Sequence, residues 1–235
     1  MELLSAARPF NLQEFTYGGR RIISLARPAY GDTDSWKTDK EEGKDLDITP
    51  GSPIWSKIEP LITQDLIYLK ERGVGQIISF SNSFYVLHMD TIIRKIWARI
   101  CPEGVFSSIS TEDFLFQDPK PEDHLEKKPQ PPDLIAPEKL DLFYSLTLPE
   151  ASPLTAVYCG AGLGRSGGYI AGWAAKQDRE ITSERDYDKR VELINALIEH
   201  KLAPQYHRTT MSLRNSWIDE LKDTGAVEAI ARSLE

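Results

Sequence analysis

One stretch constrains this chain more than any other: Val157-Tyr158-Cys159-Gly160-Ala161-Gly162-Leu163-Gly164-Arg165-Ser166-Gly167-Gly168. The apolar run before it, Leu154–Val157, is short and reads as a buried strand. The segment after it, Gly168–Ala175, reads as a helix. A strand that passes through a glycine-rich turn into a helix N-terminus brings backbone amides together on one point. The helix dipole adds positive potential there, so the turn is suited to an anion. Glycines let the backbone turn tightly and approach a ligand. With the strands and helices read along the rest of the chain, the expected fold class is α/β. It is doubly wound, with a mainly parallel central sheet and helices on both faces.

Two side chains add reactivity to this cradle. Cys159, expected among N–H donors and an arginine, reads as a nucleophile. Arg165 can offer paired donors to two oxygens of one tetrahedral anion. Ser166 follows at once and can donate a hydrogen bond to the sulfur. A glycine-rich turn around a buried structural cysteine is the plainer reading, but it leaves Arg165 and Ser166 unexplained.

The pattern Cys-x5-Arg-Ser, with glycine at inner positions and Gly167 after the serine, resembles the signature of the cysteine-dependent protein tyrosine phosphatase superfamily. Its dual-specificity and compact bacterial branches are the most similar. The resemblance implies phosphomonoester hydrolysis in two steps through a cysteinyl-phosphate intermediate. Cys159 would attack phosphorus, and Arg165 with the amides of Gly160, Ala161, Gly162, Leu163 and Gly164 would hold the phosphate oxygens. Ser166 would ease departure of the sulfur. In one respect the chain departs from the superfamily: histidine usually precedes the cysteine, and here Tyr158 stands there.

The resemblance also implies an aspartate as general acid, on a loop after a strand. Gly104–Ser110 reads as such a strand, and it runs into a charged, proline-rich region up to Pro137. Asp113, followed by Phe114, fits best; Asp118, followed by Pro119, is the runner-up and Asp133 a distant third. Leu25-Ala26-Arg27-Pro28 and the segment Asp65–Ser79 resemble parts of the compact members too. A polar residue that positions the hydrolytic water in some relatives would fall near Gln205, His207 and Arg208, with no alignment that selects one.

The rest of the chain supplies the scaffold. Residues 1–16 show no clear period and read as a partly ordered N-terminal arm, leaving 17–235 as a single domain. Residues 31–56 read as a long loop. Ile58–Leu69 fits a helix closed by Gly73, Gln76–Phe80 a strand, and Met89–Ile100 a second helix. His88, near its start, reads as a surface or capping histidine. Further helices are expected over Glu138–Tyr144, Tyr187–Ile198, Leu213–Leu221 and Ala226–Leu234.

Composition narrows the function classes. A chain of 235 residues with 40% hydrophobic content can bury one substantial core. The net charge of −8 argues against nucleic acid as a partner. No apolar run reaches transmembrane length. The two cysteines, Cys101 and Cys159, suggest no disulfide framework and suit a reducing compartment, the cytoplasm; export into a host cell stays open. Cys101 is the only other cysteine, so any internal disulfide of Cys159 would have to be with it. No cofactor or metal is required by the implied chemistry. The expected partner is a phosphorylated protein carrying phosphotyrosine, with phosphoserine and phosphothreonine as further options. A phosphoinositide ranks lower, because the five residues inside the loop carry no lysine. A non-catalytic phosphopeptide-binding module is the alternative from another class.

Overall fold

The computed structural model describes residues 9, 11–29, 51–81, 84–111, 137–150, 152–160, 164–205, 217–219, 221–222 and 225–235. Five strands form one sheet: β1 (Gln13–Tyr17), β2 (Arg20–Ala26), β3 (Val74–Ser81), β4 (Val105–Ser110) and β5 (Leu154–Cys159). Their spatial order is β1-β2-β5-β3-β4. Only the β1–β2 pair is antiparallel; β2–β5, β5–β3 and β3–β4 are parallel.

Central position explains the composition of β5. Five of its six residues are buried, as expected for a parallel strand covered on both faces. Side chains alternate across the sheet. Ile22, Ile78, Phe80, Val157 and Cys159 face one apolar layer, and Ile23, Leu25, Ile77, Ala156 and Tyr158 face the other. The first layer is covered by α3 (Pro137–Thr147), α4 (Gly164–Gln177), α6 (Tyr187–Leu197) and α7 (Ala226–Ser233), with the short α5 (Arg179–Ser183) beside them. The second is covered by α1 (Pro53–Glu71) and α2 (Phe84–Ile100). The α/β doubly wound arrangement is therefore present.

Local chemistry accounts for several boundaries. Ser52 caps α1 by accepting the Trp55 N–H at 3.0 Å, and Pro53 opens its first turn. Past the end of α1, Gly73 takes a left-handed φ of 82°. Asp178 and Asp186 cap α5 and α6 in the same manner as Ser52.

Two boundaries differ from the sequence reading. Residues 13–16, expected in an arm, belong to β1, and Phe15 and Leu12 are core residues. An edge strand this short buries too few side chains to show a period. The second difference is the start of α4, at Gly164 rather than Gly168, so Arg165 and Ser166 lie in its first turn. Glycine stands at position 167 inside this helix because there is no room for a side chain: a Cβ would lie 1.9 Å from the Trp217 indole nitrogen.

Candidate active site

Cys159 is the last residue of β5, and α4 begins at Gly164. The turn between them is anchored at its start by β2, since the Arg27 N–H donates to the carbonyls of Cys159 and Gly160, 3.0 Å from each. Ala161, Gly162 and Leu163 lie outside the described residues. Beyond them the helix returns Ser166 to the sulfur. Its Oγ lies 3.3 Å from Cys159 Sγ, and both residues are buried. The N–H groups of the first turn of α4, which have no partner within the helix, sit at the carboxyl end of β5 with the positive end of the helix dipole.

Arg165 is braced from two neighbouring strands. Its Nη1 donates to the Phe80 carbonyl at 3.0 Å and to Thr111 Oγ1 at 3.3 Å. Phe80 is in β3, and Thr111 directly follows β4. The Nη2 side of the guanidinium faces Gly160, 4.0 Å from where a Cβ would stand. Phe80 also holds the helix that carries Arg165. Its ring stacks on Tyr169 of α4, centroids 4.1 Å apart, and meets Phe143 of α3 edge-on. Cys159, Arg165 and Ser166, three residues singled out in the sequence, are thus brought together at the carboxyl ends of β5, β3 and β4.

The sequence reading missed a polar node on the opposite face of the sheet. Tyr158 donates its hydroxyl to Asp90 Oδ1 at 2.7 Å. Ser79 and Ser108 donate to Asp90 Oδ2 at 2.6 and 3.2 Å. Asp90, on α2, is 2% exposed. Burial raises the Tyr158 phenol well above its ordinary pKa, and the Asp90 charge and the bond to it act in the same direction, so the phenol stays a donor. In the sequence, Asp90 beside Met89 resembles any solvated helix residue. The visible signal was no more than serines at Ser79 and Ser108 in strands that carry other serines as well.

The remaining candidates divide into two groups. Asp113, Asp118, Asp133, His207 and Arg208 lie outside the described residues, as does the side chain of His88. Gln205 lies at the other end of the sheet. It accepts the Thr16 N–H at 2.7 Å and donates to the Thr16 carbonyl at 3.0 Å, pairing with the edge strand β1. Thr16 is paired with Arg21, near the start of β2, whereas Cys159 is paired with Ala26 at its end. Five residues of strand separate the two levels, about 17 Å. Gln205 is therefore no water-positioning residue at Cys159. Cys101 is also remote: it precedes β4 at the amino ends of the parallel strands. A strand length of about 20 Å separates those ends, and a disulfide requires Cα atoms within about 7 Å.

No protein-family model matches the chain, and no curated protein sequence does. Among solved structures, the chain is similar to the core catalytic domain of the PP-IP phosphatase SIW14 from S. cerevisiae, crystallised with citrate. The identity is 11% and the TM-score 0.41, over 92% of this chain and 87% of that one. A likeness of that degree decides nothing about the site. Among the described residues no helix is long and apolar enough to cross a membrane.

Proposed function

We propose that the chain is a cysteine-based phosphomonoester hydrolase, acting on phosphotyrosine in proteins and, as a dual-specificity enzyme, on phosphoserine and phosphothreonine. The observation that carries the reading is the Cys159–Ser166 contact at 3.3 Å beside a guanidinium braced at Phe80 and Thr111. A cysteine that served packing alone would need neither partner.

In the proposed reaction Cys159 attacks phosphorus and the ester oxygen leaves. Arg165, through its Nη2 side, and the amides of Gly160, Ala161, Gly162, Leu163 and Gly164 hold the equatorial oxygens as charge spreads over them. Asp113 protonates the leaving oxygen and then takes a proton from water as that water attacks the phosphocysteine. Asp113 is favoured over Asp118 by its sequence context: it closely follows the strand Val105–Ser110 and directly precedes Phe114, whereas Asp118 lies deeper in a proline-rich stretch. Ser166 donates to the sulfur as it leaves. Phosphoinositides are the second substrate class.

Turnover of para-nitrophenyl phosphate and of a phosphotyrosine peptide by the purified chain tests this reading. Activity should survive EDTA, fall with vanadate and vanish in Cys159→Ser. Absence of turnover on both substrates and on phosphoinositides refutes it.

A further inference from the structure

We propose that Asp90 is a positioning residue for Cys159 and Arg165. By accepting one hydroxyl from each of three adjacent strands, it fixes the strand ends that carry the site. The proposal rests on reading Cys159 as the nucleophile.

The argument begins with register. Tyr158 of β5 is paired with Ser79 of β3, and Ser79 with Ser108 of β4. The three hydroxyl-bearing residues therefore form one row across the sheet, and all three donate to the same carboxylate. The next row holds Cys159, Phe80 and Ile109. It supplies the sulfur and the carbonyl that braces Arg165, and Thr111 follows two residues after Ile109. The Asp90 node thus lies one residue behind Cys159 and Phe80, and three behind Thr111, the strand-end residues that set Cys159 against Arg165.

Packing alone does not explain this choice of residues. Tyr158 and Ser79 are 1% and 0% exposed, among Leu25, Ile77 and Ala156. Apolar side chains would fill such a layer with no polar group to satisfy. A buried carboxylate is costly unless it is well hydrogen-bonded or paired. Here it accepts three hydroxyls, and Arg27 is near enough for its charge to act on the Tyr158 phenol. Alternation places Tyr158 on the opposite face from Cys159, so it acts through the backbone and not by contact with substrate. Small shifts matter there, because a misplacement of about 1 Å between reacting groups can cost about a hundred-fold in rate.

The test uses the full chain with Asp90→Asn, Tyr158→Phe, Ser108→Ala and the Asp90→Asn/Tyr158→Phe double variant. Two readouts are taken: kcat and KM for para-nitrophenyl phosphate, and the alkylation rate of Cys159 by iodoacetamide, followed by mass spectrometry. Cys101 is the internal control. It is buried at the far end of the sheet and stays slow while the fold is intact. The expected result is a loss of about ten-fold in kcat with KM within about two-fold, and an alkylation rate altered by about three-fold or more. The double variant should be no worse than the worse single one, since both remove one hydrogen bond. If kcat and the Cys159 rate stay within about two-fold of wild type while Cys101 remains slow, the role is structural only and the proposal falls. Multiplying effects overturn it too. Should Asp90→Asn expose Cys101, Tyr158→Phe and Ser108→Ala decide by the same criteria. If wild type hydrolyses nothing, the phosphatase reading fails, and the alkylation rates still decide whether Asp90 positions Cys159.

Discussion

Gly167→Ala probes the contact that sets the first turn of α4. An alanine Cβ there would lie 1.9 Å from Trp217 Nε1, 2.8 Å from Cδ1 and 3.0 Å from Cε2. Ordinary contact requires the indole to retreat by about 1.5 Å. It has little room to do so, since Trp217 is 0% exposed and packs against Phe15, ring centroids 6.0 Å apart. Overpacking of this kind costs about 1–3 kcal/mol. The change also removes a glycine from a helix, which returns about 1 kcal/mol. The enclosed indole puts the cost at the upper end, so the net loss is about 1–2 kcal/mol. For a chain of this size each kcal/mol lowers Tm by about 2–4 °C, a total of about 2–8 °C. Activity should fall further than stability, because Arg165 and Ser166 directly precede Gly167 on the displaced turn. A kcat loss of about ten-fold is expected. Gly172→Ala is the control: its Cβ meets Leu140 Cδ2 at 2.7 Å and the Tyr144 hydroxyl at 2.9 Å, the far ends of side chains more than a turn away from Ser166. It should lower Tm with kcat unchanged. Thermal melts and steady-state kinetics read both. A Gly167→Ala protein with wild-type Tm and wild-type kcat would refute the reasoning.

Three further outcomes are expected. Asp113→Asn should slow a phosphotyrosine peptide strongly and an activated aryl ester only mildly, because a good leaving group needs no proton; if Asp118→Asn shows that dependence instead, the acid lies five residues further on. Gln205→Leu should lose about 1–2 kcal/mol through the exposed edge of β1, with kcat unchanged, since its amide serves Thr16 and not the site; chemical denaturation with kinetics checks this. Burial alone would raise the Asp178 carboxyl, but the hydrogen bonds from Tyr17, the Glu180 and Ile181 amides and Lys201 outweigh it and hold its pKa below the usual value. Its contribution to stability is therefore present above the unfolded carboxylate pKa of about 3.9 and is lost as pH falls through the lower folded value. Asp178→Asn should flatten that acid limb of the stability profile.

What could be read from the chain follows how local each signal is. Strand, turn, Arg165 and Ser166 lie within the thirteen consecutive residues Leu154–Ser166, so their joint placement needed no long-range contact. The apolar faces of α1 and α2 were equally legible, through Ile58, Leu66 and Leu69 and through Ile93, Ile96 and Trp97. β1 was not, because of its five residues only Phe15 contributes a large apolar side chain to the core, and its pairing partner is needed to define it. The start of α4 was hidden by Gly167 and Gly168, which suggest a loop until Trp217 is known to occupy the space. Asp90 was hidden most deeply. Its role depends on the register of three strands spread over some eighty residues, which no local pattern encodes.

The central claim is that Cys159 carries the phosphoryl group during turnover. The direct measurement is rapid acid quench of the purified chain with a phosphotyrosine peptide, followed by mass spectrometry of its cysteine peptides, with Cys159→Ser in parallel. The account predicts a transient phosphoryl group on Cys159, none on Cys101, and no turnover in the serine variant. Turnover with no modification of Cys159, or a Cys159→Ser protein that keeps about a tenth or more of wild-type kcat, would contradict it.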